Sequence, residues 1–384
     1  MSVSVYHRSR AFDENAYDGL LAGVVAAIVL LGLVMVFSSG VAGGVGKFEL
    51  RFSHAFKHGV HILAGLGLML AVMWVKLEQL QGAAKLLLLL GILALAVLLI
   101  PGVGLEVNGS TRWFSLAGIR IQPAELMKLI CLIYVADYYA RKQNKVHLFK
   151  VGVLNLGLPI LVVGVLLLMQ PDFGTLVVIV ATTAGLMFLA GVRFGYFVAV
   201  IVLTLMALAA IAVLEPYRME RLLTYQDPWA DPFNKGFQLT QALMAVGRGG
   251  WFGVGLGNSL QKLSYLPHAD NDFLIAIIAE ELGAFGVIAV MLLFTLLLWR
   301  AFVIGSRALL QGMRFEAYLA YGVGLLLVCN AGIHIGVNTG ILPTKGLTLP
   351  MMSAGGSSMI TSLIAIGLLF AVDHKSRARP RGKS

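Results

Sequence analysis

An apolar run of about 20 residues is long enough to cross the hydrocarbon of a bilayer as a helix. This sequence contains ten such runs, at approximately 19–38, 59–75, 86–100, 123–139, 151–169, 175–191, 195–214, 273–299, 317–337 and 357–373. The third is short and only "GVRFG" separates the sixth from the seventh, so nine or eleven spans stay open as counts. Composition agrees: 59% of residues are hydrophobic and 12% charged, against about 25% charged in soluble domains. The expected fold is an all-α polytopic membrane protein with about ten transmembrane helices.

Orientation follows from the placement of Lys and Arg. With the amino terminus cytoplasmic, that side carries 17 of the 29 basic residues, among them Arg141, Lys142, Lys145, Lys150, Arg300, Arg307, Arg314 and five in the carboxyl tail. The other side carries 11, five of them in one long loop that counts little in such a comparison. Both termini are expected in the cytoplasm. The net charge of +10 is dispersed over short loops, which fits anionic lipid headgroups and argues against nucleic acid. Cys131 and Cys329 fall inside spans, so neither a disulfide framework nor a Cys/His metal site is indicated. The polar residues 1–18 lead into a full-length run, which reads as a retained first helix rather than a cleaved signal.

No repeat or linker divides the chain, so residues 1–384 form a single membrane domain. It reads as a tail (1–18), seven spans (19–214), an extracytoplasmic loop (215–271), three spans (272–373) and a second tail (374–384). A 57-residue loop is far longer than ordinary connections, and Trp229, Phe233, Phe237 and Trp251 indicate that it is ordered. Within it, Leu239, Ala242, Leu243 and Val246 recur at helical spacing before a Gly249-Gly250 stop. This predicts an amphipathic helix lying at the membrane surface, packed on the tops of the spans, or both.

Ionisable groups inside spans are expensive and mark function or a buried pair. Glu125 and Lys128 are three apart and share a helix face; a mutually neutralising pair and a direct substrate role are both open. Asp172, in the "QPDFG" turn, suits an N-cap as well as a site. His334 is more readily a satisfied core histidine. The stretch "YLPHADNDFLIAIIAEELG" carries Asp270, Asp272, Glu280 and Glu281. Asp272 falls at the expected first turn of the eighth span, where the helix dipole favours its ionised form, and could take a proton from a hydroxyl held by the long loop. Glu280 would lie about 12 Å deeper, with Glu281 about 100° away around the helix. The two therefore cannot both face one neighbour, and at least one should meet a polar interior. The last loop, "NTGILPTKGLTLPMMSAGGSSM", cannot continue as lipid-exposed helix and must line a cavity or be buried. Its Gly/Ser turns, with Lys345, form a candidate anion cradle on the side of the membrane that also holds Arg112, Arg218, Arg221 and Lys262.

These motifs together resemble the SEDS family (shape, elongation, division, sporulation) over nearly the whole chain: "NGSTRWFSLAGIRIQPAELMKL", "QPDFGT", "DPWADPFNKGFQLTQALMAVGRGGWFGVGLGNSLQKLSYLPHADNDFLIAIIAEELG" and "GILPTKGLTLPMMSAGGSS". The "TKGLTLP" wording points to the division branch, with the elongation branch as second choice. The resemblance implies a ten-span peptidoglycan glycosyltransferase that polymerises lipid II at the outer face of the inner membrane, at the septum. It also implies a class B penicillin-binding protein and other division proteins as partners. The family's catalytic aspartate falls on Asp272, and its other characteristic charged positions on Arg112, Glu125, Lys128 and Lys345. Asp172, Arg218, Gln238, Lys262 and Ser357 complete the candidate substrate contacts. A divalent cation, Mg or Mn, is compatible but not required. The chain departs from the family at "PHADNDF", usually "PEAHTDF", which puts His268, Asp270 and Asn271 in unusual company. It departs again at Ala354, which replaces a tyrosine, and at Thr111, which replaces an arginine. A lipid II flippase, which moves substrate without chemistry, is the strongest rival; a scaffold without activity is a third reading.

Overall fold

The computed structural model describes residues 17–40, 48–107, 110–116, 119–214, 224–234, 236–263, 265–343 and 346–378. Ten helices fall on the ten apolar runs: α1 Gly19–Gly40, α2 Phe48–Met73, α3 Leu77–Leu98, α4 Pro123–Lys142, α5 Asn155–Met169, α6 Phe173–Leu189, α7 Phe194–Leu214, α9 Leu274–Leu310, α10 Arg314–Asn338 and α11 Gly356–Ala378. Among the described residues seven of these, counting α5 with the π-helical turn Lys150–Leu154 that precedes it, are long and apolar enough to cross a membrane. A further helix, α8 Phe237–Gly249, is the amphipathic one expected in the long loop. Several helices outrun their predicted bounds, α3 by nine residues at its start and α9 by eleven at its end, because polar first and last turns continue the helix beyond the apolar run.

One element lies outside the all-helical expectation. The connection after α3 folds into a small antiparallel sheet of β1 Leu105–Val107, β2 Ser110–Leu116 and β3 Ile119–Ile121, in the order β1-β2-β3. Its register pairs Leu105 with Trp113 and Phe114 with Ile121. The run "TRWFSL" has the β-branched and aromatic content of a strand, but it sits in a loop dense with glycine.

The centre of the bundle is α4, α10 and α11, whose inner faces are almost wholly buried, and α9 packs along α10 more extensively than any other pair. At one end, the start of α1 is tied to the last turns of α9 and α11. The Asp18 N–H donates to Asp373 at 3.0 Å, Arg300 donates to the Asp18 carboxylate, and Arg307 and Arg377 donate to Asp373 at 2.8 and 2.9 Å. Three cations expected to face lipid headgroups thus hold the bundle closed. Burial alone would raise Asp18, but the bonds from Arg300 and the Leu21 N–H, with the charges of Arg300 and Arg377, outweigh it and hold the carboxyl below its usual range.

The opposite end holds the sheet, α8 and the segment between α10 and α11. Here α9 is not one straight span. At Gly283 the chain turns to φ 71°, ψ −167°, a conformation open to glycine and strained for any other residue. The break frees backbone groups that the segment after α8 satisfies: Val254 and Gly255 N–H donate to the Glu280 and Glu281 carbonyls, and Ala284 and Phe285 N–H donate to the Gly250 and Trp251 carbonyls. Residues 274–282 therefore run across the end of the bundle, from Asn338 at the end of α10 to Ser38 near the end of α1. This corrects the depth expected for the two glutamates. They lie level with the helix ends, not 12 Å into a span.

Candidate active site

Asp272 ends a tight turn in which Asn271 and Asp272 N–H donate to the His268 carbonyl at 3.1 and 3.0 Å, with His268 at φ 56°. It precedes α9 rather than capping it; Phe273 holds the N-cap position, without a side-chain cap bond. The turn is fixed from two directions. Asn338, fully buried, donates to the Asp272 carbonyl at 3.1 Å and accepts the Ala276 N–H at 3.1 Å. Ser353 donates to the Asn271 carbonyl at 2.7 Å, and the Ala354 N–H donates to the Asp270 carbonyl at 3.0 Å. His334, buried, approaches the same Asn271 carbonyl at 3.4 Å, so the expected core histidine also steadies the turn. Sequence reasoning passed over Asn338 and Ser353. The detectable signal was an amide at the end of an otherwise apolar span.

The segment 346–355 folds back into the bundle as expected, burying Leu347, Leu349, Met351, Met352 and Ser353. A methyl carbon at Gly346 would stand 3.2 Å from an Asp272 carboxylate oxygen, and one at Gly174 would stand 2.9 Å from Leu347. The re-entrant segment thus touches the aspartate on one side and the start of α6 on the other. Burial pushes the Asp272 carboxyl up to about 6; the Asp270 charge adds to that, while His268 and Arg112 oppose it. The helix dipole expected to favour the ionised form does not prevail, because desolvation at this half-buried position is the larger effect.

Arg112, on β2, donates from Nε to the Gln170 carbonyl at 3.0 Å and from Nη2 to the Pro171 carbonyl. The sheet is thereby pinned to the "QPDFG" turn, within electrostatic reach of Asp272. Asp172 is the N-cap of α6, accepting from Thr175 N at 3.2 Å and Thr175 Oγ1 at 2.9 Å, with Gln122 Nε2 at 3.3 Å. Ser357 Oγ accepts the Gln122 N–H at 3.1 Å. Glu125 and Lys128 form a buried ion pair at 3.0 Å, the neutralising alternative. Gln238 is exposed on α8. Arg218, Arg221 and Lys345 lie outside the described residues.

Lys262 departs from expectation. Its Nζ is buried against Glu281 at 2.8 Å, with Ser38 Oγ 2.7 Å from the same carboxylate. Glu280 is held by Arg248 at 2.6 Å, the Ser259 hydroxyl and the Leu260 N–H at 3.0 Å. Both glutamates therefore face one neighbour, the 248–262 segment, because the break at Gly283 lets that segment wrap around them. The buried face of α8 (Leu239, Ala242, Ala245, Gly249) rests on the same part of α9. A methyl at Gly249 would collide with the Ala279 carbonyl at 1.8 Å. Packing on the span tops is thus the arrangement adopted. Among the described residues no group of three or more His, Cys, Asp or Glu side chains is placed to hold a metal ion.

The model of the FtsW/RodA/SpoVE family, described as cell cycle protein, matches residues 18–378. The chain belongs to this family. Among its relatives, the probable peptidoglycan glycosyltransferase FtsW of Nitrosococcus halophilus is 47% identical over 365 residues, 94% of this chain and 93% of that protein. Its counterpart in Idiomarina loihiensis is 45% identical over 375 residues, 96% and 91% of the two chains. The fold is similar to a chain from a solved peptidoglycan synthase complex described as coordinating polymerization and crosslinking, with a TM-score of 0.77 and 29% identity over 95% of this chain and 99% of that one. It is also similar to the rod shape determining protein RodA of Thermus thermophilus, with a TM-score of 0.68 and 28% identity over 95% and 99%. The family match, over residues 18–378, includes every element that builds the Asp272 site.

Proposed function

We propose that this chain is a peptidoglycan glycosyltransferase that polymerises lipid II at the outer face of the inner membrane during cell division. The observation that carries the reading is Asp272. It is the carboxylate that the fold leaves half-buried and facing the re-entrant segment, whereas Glu125, Glu280 and Glu281 are all engaged in ion pairs. Its carboxylate takes the proton of the acceptor sugar's hydroxyl as that oxygen attacks the donor's anomeric carbon; the bond to the pyrophosphate breaks, and undecaprenyl pyrophosphate leaves. A carboxylate near 6 is a better base for this step than an ordinary one, and remains ionised at neutral pH. Two carbonyls occupy part of the Arg112 guanidinium, which has five N–H donors in all; the rest would meet the leaving pyrophosphate's charge.

The site end of the bundle is placed outside, with both termini and the Asp18–Arg300–Asp373 cluster in the cytoplasm, in keeping with the positive-inside distribution. The crosslinking partner is a class B penicillin-binding protein. The pairing of the intramembrane charges weighs against a flippase, which needs an unengaged polar path. The test is polymerisation of lipid II by purified protein with its cognate transpeptidase. Asp272→Ala should give no glycan while keeping its fold and its partner. Strands formed at near wild-type rate would remove Asp272 from this role.

A further inference from the structure

Beside Asp272, on the inner side of its turn, buried polar atoms converge without partners. His58 on α2 is 2% exposed, and neither of its ring nitrogens has a hydrogen-bond partner among the described residues. One turn on, His61 Nδ1 is also unpartnered, and the ring lies against the re-entrant segment: a methyl carbon at Gly356 would stand 2.8 Å from Nε2. At the adjoining Gly355, a methyl carbon would stand 3.3 Å from Asn271 Oδ1, another buried orphan. His58 is close enough to Asp270 and His61 to feel their charges, which brings all these groups to one locality. Gly355, Gly356, Asn271 and Asp272 are half-exposed, so the orphaned groups border the surface on which Asp272 stands. Burying a polar group without a partner is destabilising, and such orphans in a native fold call for an explanation.

We infer that His58, His61 and Asn271 form a saccharide subsite, receiving hydroxyl or acetamido groups of the sugar whose hydroxyl Asp272 deprotonates. The inference rests on the polymerase reading and names a binding region within it. The donor and acceptor inventory selects the ligand class. Asn271 Oδ1 requires a donor, and an imidazole with one ring proton requires a donor at one nitrogen and an acceptor at the other. A phosphate oxygen only accepts and would leave Asn271 unsatisfied. A metal ion would take lone pairs alone, and the described residues offer no three-ligand set. Sugar hydroxyls and secondary amides donate and accept at once.

The test uses the full-length protein with its transpeptidase partner and lipid II. Wild type must first polymerise; if it does not, the polymerase reading fails, independently of this inference. Given activity, His58→Leu removes a group with no protein partner. It is expected to leave the melting temperature unchanged or higher, while raising the lipid II concentration for half-maximal rate by about three- to tenfold, with a smaller effect on maximal rate. His61→Leu should act in the same direction, and the pair together more strongly. Gly356→Ala, which places a methyl against the His61 ring, is a second route to the same kinetic change. An unaltered half-maximal concentration in both His variants would overturn the subsite. So would a lowered melting temperature with unchanged kinetics, which would assign these histidines to buried water or packing.

Discussion

Replacing Asp272 by Asn should make the protein more stable and catalytically dead, and the gain should depend on pH in a way the structure specifies. Burial raises this carboxyl from its ordinary 3.8 to about 6, so the folded state disfavours its ionised form. The sign follows from linkage. Between about pH 4 and 6 the folded protein binds more protons at this site than the unfolded chain, so stability falls as pH rises through that window and is constant above it. With those two values the penalty is about 3 kcal/mol at pH 7 and about 0.6 kcal/mol at pH 4. An uncharged amide of the same shape escapes it. Thermal unfolding of the detergent-purified complex should show Asp272→Asn above wild type at pH 7.5 and converging with it toward pH 4.5, while lipid II polymerisation is lost at every pH. In the wild type, activity should decline as pH falls through about 6, where the base becomes protonated. An Asp272→Asn protein no more stable than wild type at pH 7.5, or a wild-type activity limb near pH 4, would refute the argument that desolvation governs this residue.

Three further outcomes follow from named contacts. Asp270→Asn removes a charge that helps raise Asp272, so the acidic limb of the activity profile should move to lower pH; a move upward would contradict the assignment. Lys262→Met strands the Glu281 carboxylate, whose side chain is wholly buried, and should destabilise by about 3–5 kcal/mol. Adding Glu281→Met should recover much of that loss in a double-mutant cycle of melting temperatures. Gly283→Ala forces a side chain into φ 71° and sets a methyl 2.4 Å from the Gly253 nitrogen and Trp251 carbonyl oxygen. It should lower the yield of folded protein and detach the 251–255 segment, seen as new proteolytic cleavage there.

The ten helices were legible because each falls on an apolar run, although among the described residues seven are long and apolar enough to cross a membrane. The position of Asp272, at the mouth of the eighth run, was legible from where that run begins. What it experiences was not: the dipole argument used only the helix that follows, whereas the raised pKa comes from the turn, the re-entrant segment and Asp270 closing around it. Glu280 and Glu281 failed for a related reason. Periodicity treats a helix as straight, and Gly283 is one glycine among 44 with no local mark of a break. Lys262 looked like a phosphate ligand because loop cations usually face solvent, and only the fold reveals the carboxylate waiting for it. The sheet at 105–121 was hidden because its strands are short and stand among glycines.

The placement of the four carboxylates in residues 270–281 has a physical logic. A base must be both positioned and desolvated, yet a carboxylate held by its own hydrogen bonds is a poorer base, because each bond stabilises the ionised form. Here the holding is transferred to the backbone: Asn338, Ser353 and the Ala354 N–H grip carbonyls of Asp270, Asn271 and Asp272, leaving the Asp272 side chain to the site. Glu280 and Glu281 do the reverse. Their side chains are saturated by Arg248, Lys262, Ser38 and Ser259, and they staple the long loop across the break in α9. The stapled loop in turn fixes the start of α9, and with it the turn that carries Asp272. Loosening the staple should therefore reduce activity without shifting its pH midpoint, whereas altering Asp270 should shift the midpoint with the loop still in place. That contrast separates the carboxylates that position the base from the one that tunes it.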